Sequence, residues 1–295
     1  MTHHHRTAPT SGPLEPAEQA AWDEHRRERW EGLAGPHGWL SLTGFQWLTE
    51  EPAALSTGPG GEDGERLPGR WWTEDGRAVL EARPEDGWTV LETGAPVDGR
   101  ISVAAQENGS VLWVRRGAVV VEAGVRDGRW MLRVRDGGAD PARFAPLPVW
   151  SPDRRWMLPA RWEPWDRAQT RRIATIRPDT GGWARLDGEL VLELDGQQHR
   201  LAGTAGSLEP DGSYRRVTVA FHDRTNGVES APWRFLTVDL DAPAHAGGPS
   251  VQAVADFNRA LNYPMAFSPH ATCPAPVPEN RLPFPVRAGE QAVEW

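Results

Sequence analysis

The chain has 295 residues, 39% hydrophobic and 25% charged, which is an ordinary globular composition with enough length for a sizeable core. A net charge of -9 excludes a general phosphate-backbone binder, which needs a basic face. All 32 basic side chains are arginine, so a Schiff-base lysine, a pyridoxal-phosphate anchor and a lysine-bearing nucleotide loop are excluded together.

In chain order, the opening MTHHHRTAPTSG lacks the apolar core of a secretory signal, and residues 1–13 read as a disordered lead-in whose histidines, His3 to His5, are incidental. Pro16 opens a helix through Leu33, with Trp22, Trp30 and Leu33 near one face and Gly35-Pro36 as its end. From Trp39 the apolar period shortens toward two. Asp-Gly pairs follow with their Asp at 63, 75, 86, 98, 127, 136, 187, 195 and 211, the punctuation of a meander of short strands. The clearest hairpin joins Ala118–Val125 to Trp130–Val134 through Asp127-Gly128. Further strands are expected at Arg171–Ile176, Glu189–Leu194, Tyr214–Phe221 and Arg234–Asp239, and a short helix at Val251–Leu261. The expected architecture is all-β, an antiparallel barrel or sandwich with two flanking helices, in which residues 14–295 make a single domain.

The last stretch, Asp256 to Glu290, carries prolines at 264, 269, 274, 276, 278, 283 and 285. Neither a regular helix nor a central strand tolerates that density. Bulky apolar residues recur between the prolines (Phe257, Met265, Phe267, Leu282, Val286), so the segment reads as ordered and packed on the body. Asp256, Asn258, Arg259 and Asn262 would share one face, with Glu279, Asn280, Arg281 and Glu290 closing over it. Such a set has two readings: a pocket for a small polar or anionic ligand, or a lattice that satisfies the backbone of an irregular segment.

Three other groups invite chemistry. Arg115 and Arg116 lie on an apolar strand and suggest an anion clamp or, alternatively, a structural ion pair. His222 and Asp223 follow a strand and read either as a general base with its orienting carboxylate or as a turn capped by Asp223 and Thr225. His270 and Cys273 form H-x-x-C, two ligands where zinc needs three or four, so no metal and no cofactor is expected and Cys273 reads as a small buried group. Sixteen tryptophans, locally dense at Trp71-Trp72 and at 156, 162 and 165, would serve as a stacking floor or as core.

The pattern D-F-N-R-A-x-N-x-P-x-A-x-S-P-x-x-x-C-P-x-P-x-P-E-N-R-L-x-x-x-V-R-A-G-E over 256–290 closely resembles the signature of the bacterial and archaeal domain-of-unknown-function family 1684. Weaker echoes stand at Trp39–Leu48, Val114–Gly117, Leu132–Asp136 and Phe221–Gly227. The resemblance implies kinship without an activity. It also implies a second cysteine where this chain has Met265, and a tyrosine near Ala231. The expected function is a small-molecule site in a β-barrel pocket. As an enzyme it would use His222, Asp223 or Glu279 as acid and base, with Arg115, Arg116 and Arg259 on an anion; the alternative is a noncatalytic metabolite- or carbohydrate-binding protein. Location is expected to be cytoplasmic, with neither nucleic acid nor membrane as partner.

Overall fold

A computed structural model describes residues 10–57 and 65–294. Helix α1 (Pro16–Ala34) begins with proline in its first turn and a Glu15–Glu18 capping box. Its dense charge leaves little apolar face. It docks through Leu33, through Trp22 Nε1, which donates to the Asn258 carbonyl at 3.1 Å, and through Arg29, which grips Glu290. Residues 1–9 of the expected lead-in lie outside the described residues. At its end, Ser11 Oγ and the Gly12 amide bond the Asp153 carboxylate.

Two β bodies follow. The first contains β1 (Leu42–Trp47), β2 (Ala53–Ser56), β3 (Arg66–Glu74), β4 (Arg77–Ala82), β5 (Thr89–Val90), β6 (Gly99–Val103), β7 (Ser110–Arg116), β8 (Val119–Arg126) and β9 (Arg129–Asp136). Its strands make two antiparallel sheets, ordered β1-β9-β8-β7-β5 and β2-β3-β4-β6. Leu55, Trp71, Leu80, Trp88, Val114, Val121 and Leu132 belong to the core they share. Trp71 meets Trp88 and Trp113 edge-on at 5.4 and 5.9 Å, so these tryptophans are core.

The second body is a closed barrel of β10 (Met157–Ala174), β11 (Gly181–Leu194), β12 (Gln197–Ala205), β13 (Tyr214–Phe221), β14 (Arg234–Ala244) and β15 (Val251–Asp256), closed by the β15–β10 pairing. A two-residue strand, β16 (Leu261–Asn262), lengthens β14's edge. Trp162, Leu190, Leu201, Val219, Phe221 and Leu236 fill the interior. The expected pocket inside a β-barrel is therefore not where these residues leave space: the barrel is a packed core, and its largest side chain, Trp162, donates to the Tyr214 hydroxyl at 3.0 Å. Gly188 makes this possible, because a Cβ there would lie 2.6 Å from the Trp162 ring.

The Asp-Gly pairs divide by local context. At 75-76, 127-128 and 195-196 both residues have positive φ and close two-residue hairpins, as the type I′ turn requires. Asp86-Gly87 ends a 3₁₀ turn and Asp187-Gly188 sits inside β11. Asp63-Gly64 lies outside the described residues. The four expected strands all form, within β10, β11, β13 and β14. The helix expected over 251–261 is instead β15, a 3₁₀ turn (Phe257–Arg259) and β16. Val251, Ala253 and Ala255 alternate inward, so period two wins over the i,i+3 spacing of Asp256 and Arg259.

Beyond a bulge between Pro164 and Gln169, β10 and β11 continue as a two-stranded arm whose tip reaches the first body. Asp127 accepts two bonds from Arg172, both at 2.9 Å, and one from the Gly181 amide at 3.0 Å. Trp47 Nε1 donates to Asp179 at 2.7 Å. The outer face of the five-stranded sheet carries a buried triad: Glu122 accepts from Arg133 Nη1 at 3.1 Å and from Arg135 Nη2 at 2.6 Å, and both guanidiniums lie over Trp39. Burial pushes the Glu122 carboxyl up, but Arg133 and Arg135 outweigh it and hold the group below the usual glutamate range.

Glu122→Gln strands two buried guanidiniums and should cost about 3–5 kcal/mol at neutral pH in urea denaturation. Because the folded carboxyl is depressed, this stabilisation is present above the unfolded value of about 4.3 and is lost as pH falls through the folded value. The wild-type and variant curves should therefore converge in acid; a constant gap down to low pH would show that the triad's charge is not what stabilises.

Candidate functional site

The proline-rich segment is ordered against both bodies, and its polar residues are occupied in holding it there. Arg234, fully buried, donates from Nη1 to the Ala288 carbonyl at 2.6 Å and from Nη2 to the Val286 carbonyl at 2.7 Å and Asp223 Oδ2 at 2.8 Å. Asn280 inserts its amide where β12 and β13 part. It accepts from the Ala202 amide at 2.8 Å and donates to the Ala202 and Ala220 carbonyls, both at 2.7 Å. Asn258 ties Asp256 to the Asp153 backbone, and Arg259 lies 3.3 Å from Asp256. Burial raises the Asp256 carboxyl against the pull of Asn258 and Arg259. Glu290 receives Arg29 and the Asn262 amide.

The residues singled out as a site do not come together in one place; of them, Asn280 borders a cavity beside Tyr263. Asp223 is buried and committed: Oδ1 accepts from the Thr225 amide, the Thr225 hydroxyl and the Val286 amide, and Oδ2 accepts from Arg234. The turn-capping geometry is the one present, and His222 instead packs edge-on against Trp233 at 5.9 Å. Burial, then Arg281, lowers the His222 pKa. Glu279 is exposed and paired with Arg171, and Arg281 is exposed. Arg115 and Arg116 both stand exposed on β7, where Arg116 donates to the Asp86 carbonyl at 3.0 Å, on a different body from Arg259. His270 and Cys273 are buried; among the described residues no group of three or more His, Cys, Asp or Glu side chains is arranged to hold a metal. Burial pushes the Cys273 thiol up to about 12, which removes it as a thiolate nucleophile.

Open space occurs elsewhere, along the line where the segment crosses the arm. One cavity of about 230 Å³ lies between the barrel's outer wall (Leu186, Ala202, Thr218, Ala220), the prolines at 274 and 276, and Tyr263. A second, of about 310 Å³, is lined by Asn108, Arg126, Thr175, Thr180, Gly181, Gly182, Trp183, Thr272 and Pro274. Trp183 and Pro274 border both. Trp183 is 43% exposed, unlike the core tryptophans. Burial pushes the Tyr263 phenol up, which keeps it a protonated donor. Among the described residues, no carboxylate, imidazole or thiol lines either cavity.

Sequence reasoning missed Arg126, Trp183, Tyr263 and Thr272. The available signal was parity: in Val119–Arg126, Glu122 and Arg126 fall on the same face of one strand, opposite Val121 and Ala123.

A family model described as "Protein of unknown function (DUF1684)" matches residues 142–291, half of the chain. The chain belongs to this family. The DUF1684 match takes in the barrel, the arm and the proline-rich segment, and starts after the echoes at 39–48, 114–117 and 132–136. No curated protein matches the chain. Among solved structures, the solution NMR structure of the uncharacterized protein from gene locus rrnAC0354 of Haloarcula marismortui is similar, at 24% identity over 49% of this chain and 75% of that one, with a TM-score of 0.39.

Asn280→Ala leaves one amide and two carbonyls unpaired between β12 and β13, and should cost about 3 kcal/mol in chemical denaturation, with faster hydrogen exchange at Ala202; a loss below about 1 kcal/mol would make the clip dispensable. Cys273 should resist iodoacetamide at mildly alkaline pH in the folded protein and react only as fast as the protein unfolds. Labelling at the rate of a free thiol would contradict its burial.

Proposed function

We propose that this DUF1684 protein binds a small organic molecule without transforming it, in the groove between the β10–β11 arm and residues 272–277. The supporting observation is the groove's lining: an exposed tryptophan borders both cavities, Tyr263 lines one and Arg126 the other, while no carboxylate, imidazole or thiol among the described residues lines either. Acid–base catalysis needs a group that takes up and returns a proton beside the reacting atom. His222, Asp223 and Glu279 line neither cavity; Asp223 holds Thr225 and Arg234, and Glu279 pairs with Arg171.

Volumes of about 230 and 310 Å³ suit a single-ring compound, near the lower end of the usual range for ligand pockets. A flat indole face at the boundary favours a planar ligand. Among the described residues no helix is long and apolar enough to cross a membrane. A cytoplasmic location belongs to the same proposal, supported by the one buried, unpaired cysteine.

Saturation-transfer NMR with a panel of planar single-ring fragments tests the reading. Hits should weaken by about tenfold in Trp183→Ala and be retained in Trp183→Phe, both variants keeping the wild-type Tm. Hits indifferent to Trp183, or none at all, would overturn it.

A further inference from the structure

The larger chamber holds an arginine on which Glu122 and Glu107 act only from beyond ion-pair distance. Arg126 Nη1 donates to the Gly109 and Val125 carbonyls at 2.9 and 2.7 Å. Among the described residues, no acceptor meets its Nε or Nη2, and no carboxylate comes within ion-pair distance. Its neighbours in charge are already spent: Glu122 on Arg133 and Arg135, Glu107 on the Asp127 and Gly128 amides. Four arginines of the arm are paired instead: Arg171 with Glu279, Arg172 with Asp127, Arg177 with Asp179 and Arg185 with Asp187.

Resting on the groove reading above, we infer that the Arg126 chamber is a carboxylate site and that the groove's ligand is an aromatic carboxylate. The free atoms carry the argument. Nε–H and the Nη2 hydrogens form one edge of the guanidinium, the fork that matches the two oxygens of a carboxylate. Across the chamber, Thr272 Oγ1 accepts from Arg133 Nη2 at 2.6 Å, which fixes the hydroxyl and leaves its own hydrogen to donate. Asn108 adds an amide at the rim. Arg126 is half-buried, and that burial lowers its pKa. Trp183 and Pro274 line both this chamber and the apolar cavity at Pro276, so an acid held at Arg126 and a ring in the apolar cavity would lie on either side of the shared indole. A single cation with neutral donors suits one negative charge better than the two of a phosphate.

NMR titration of the wild-type chain with benzoate, benzyl alcohol and inorganic phosphate decides this. Benzoate should bind at least about tenfold tighter than benzyl alcohol, weaken as salt rises, and not be displaced by phosphate. Arg126→Gln should bring benzoate down to the level of benzyl alcohol while leaving benzyl alcohol within about twofold. Equal wild-type affinities, or a benzoate affinity unchanged in Arg126→Gln, would overturn the carboxylate assignment; displacement by phosphate would do the same. In each of those cases, Trp183-dependent binding of benzyl alcohol would leave the groove reading standing. If neither aromatic binds, both fall. The wild-type comparison does not depend on the variant folding.

Discussion

A segment that cannot form a ladder must still bond its backbone, and the proline-rich stretch meets that need with side chains. Arg234 is the centre of the solution. A buried guanidinium is expensive unless its donors are matched. Here the carbonyls of Val286, Ala288 and Glu290 together with the Asp223 carboxylate match the Nη donors, while Nε has no partner among the described residues. The cost of burying the charge and the cost of burying unpaired carbonyls offset one another, so each holds the other in place. Asn280 does the same on neutral terms between β12 and β13, copying the donor and acceptor of an absent strand.

That fastening explains where the molecule is filled and where it is open. Inside the barrel, alternating residues from six strands interdigitate around Trp162, leaving a packed core. Outside, a chain stiffened by proline crosses the arm and cannot bend to follow it. It touches at the Thr175–Pro274 bridge and at the Val277 cluster, and leaves space on either side of Pro274. The same crossing links the bodies, because Thr272 reaches the Arg133 of the first while Val277 packs on Ile173, Leu186 and Ala202 of the second.

Local chemistry was legible in the letters. Asp127-Gly128 and Asp195-Gly196 announced their hairpins because both residues must take positive φ, a demand few other pairs meet. The ordered tail was legible from its apolar residues. The helix at 251–261 was misread because Asp256 and Arg259 have helical spacing, and they do pair, but across a 3₁₀ turn at the end of a strand. The groove was illegible for a different reason: Arg126, Trp183, and Tyr263 with Thr272 come from three distant stretches, β8, β11 and the proline-rich segment, and each is unremarkable alone. The residues that looked chemical, Asp223 and Asn280 above all, drew notice because they are polar amid apolar neighbours, and that is also what a buried fastening looks like.

Saturation of hydrogen-bonding capacity separates the two kinds of polar residue more sharply than residue type does. Asp223 accepts from three elements and has no oxygen left for a ligand; Glu290 is likewise held between Arg29 and Asn262. What stays uncommitted at the groove is biased toward donors: the free edge of Arg126, the Thr272 hydrogen and the high-pKa Tyr263 phenol. On the binding proposal, a surface of unspent donors beside an indole face selects for a ligand that brings acceptors and a flat apolar body. Among the described residues no carboxylate lines either cavity, and Asp127, which accepts from the Gly181 amide of the chamber wall, is held by Arg172.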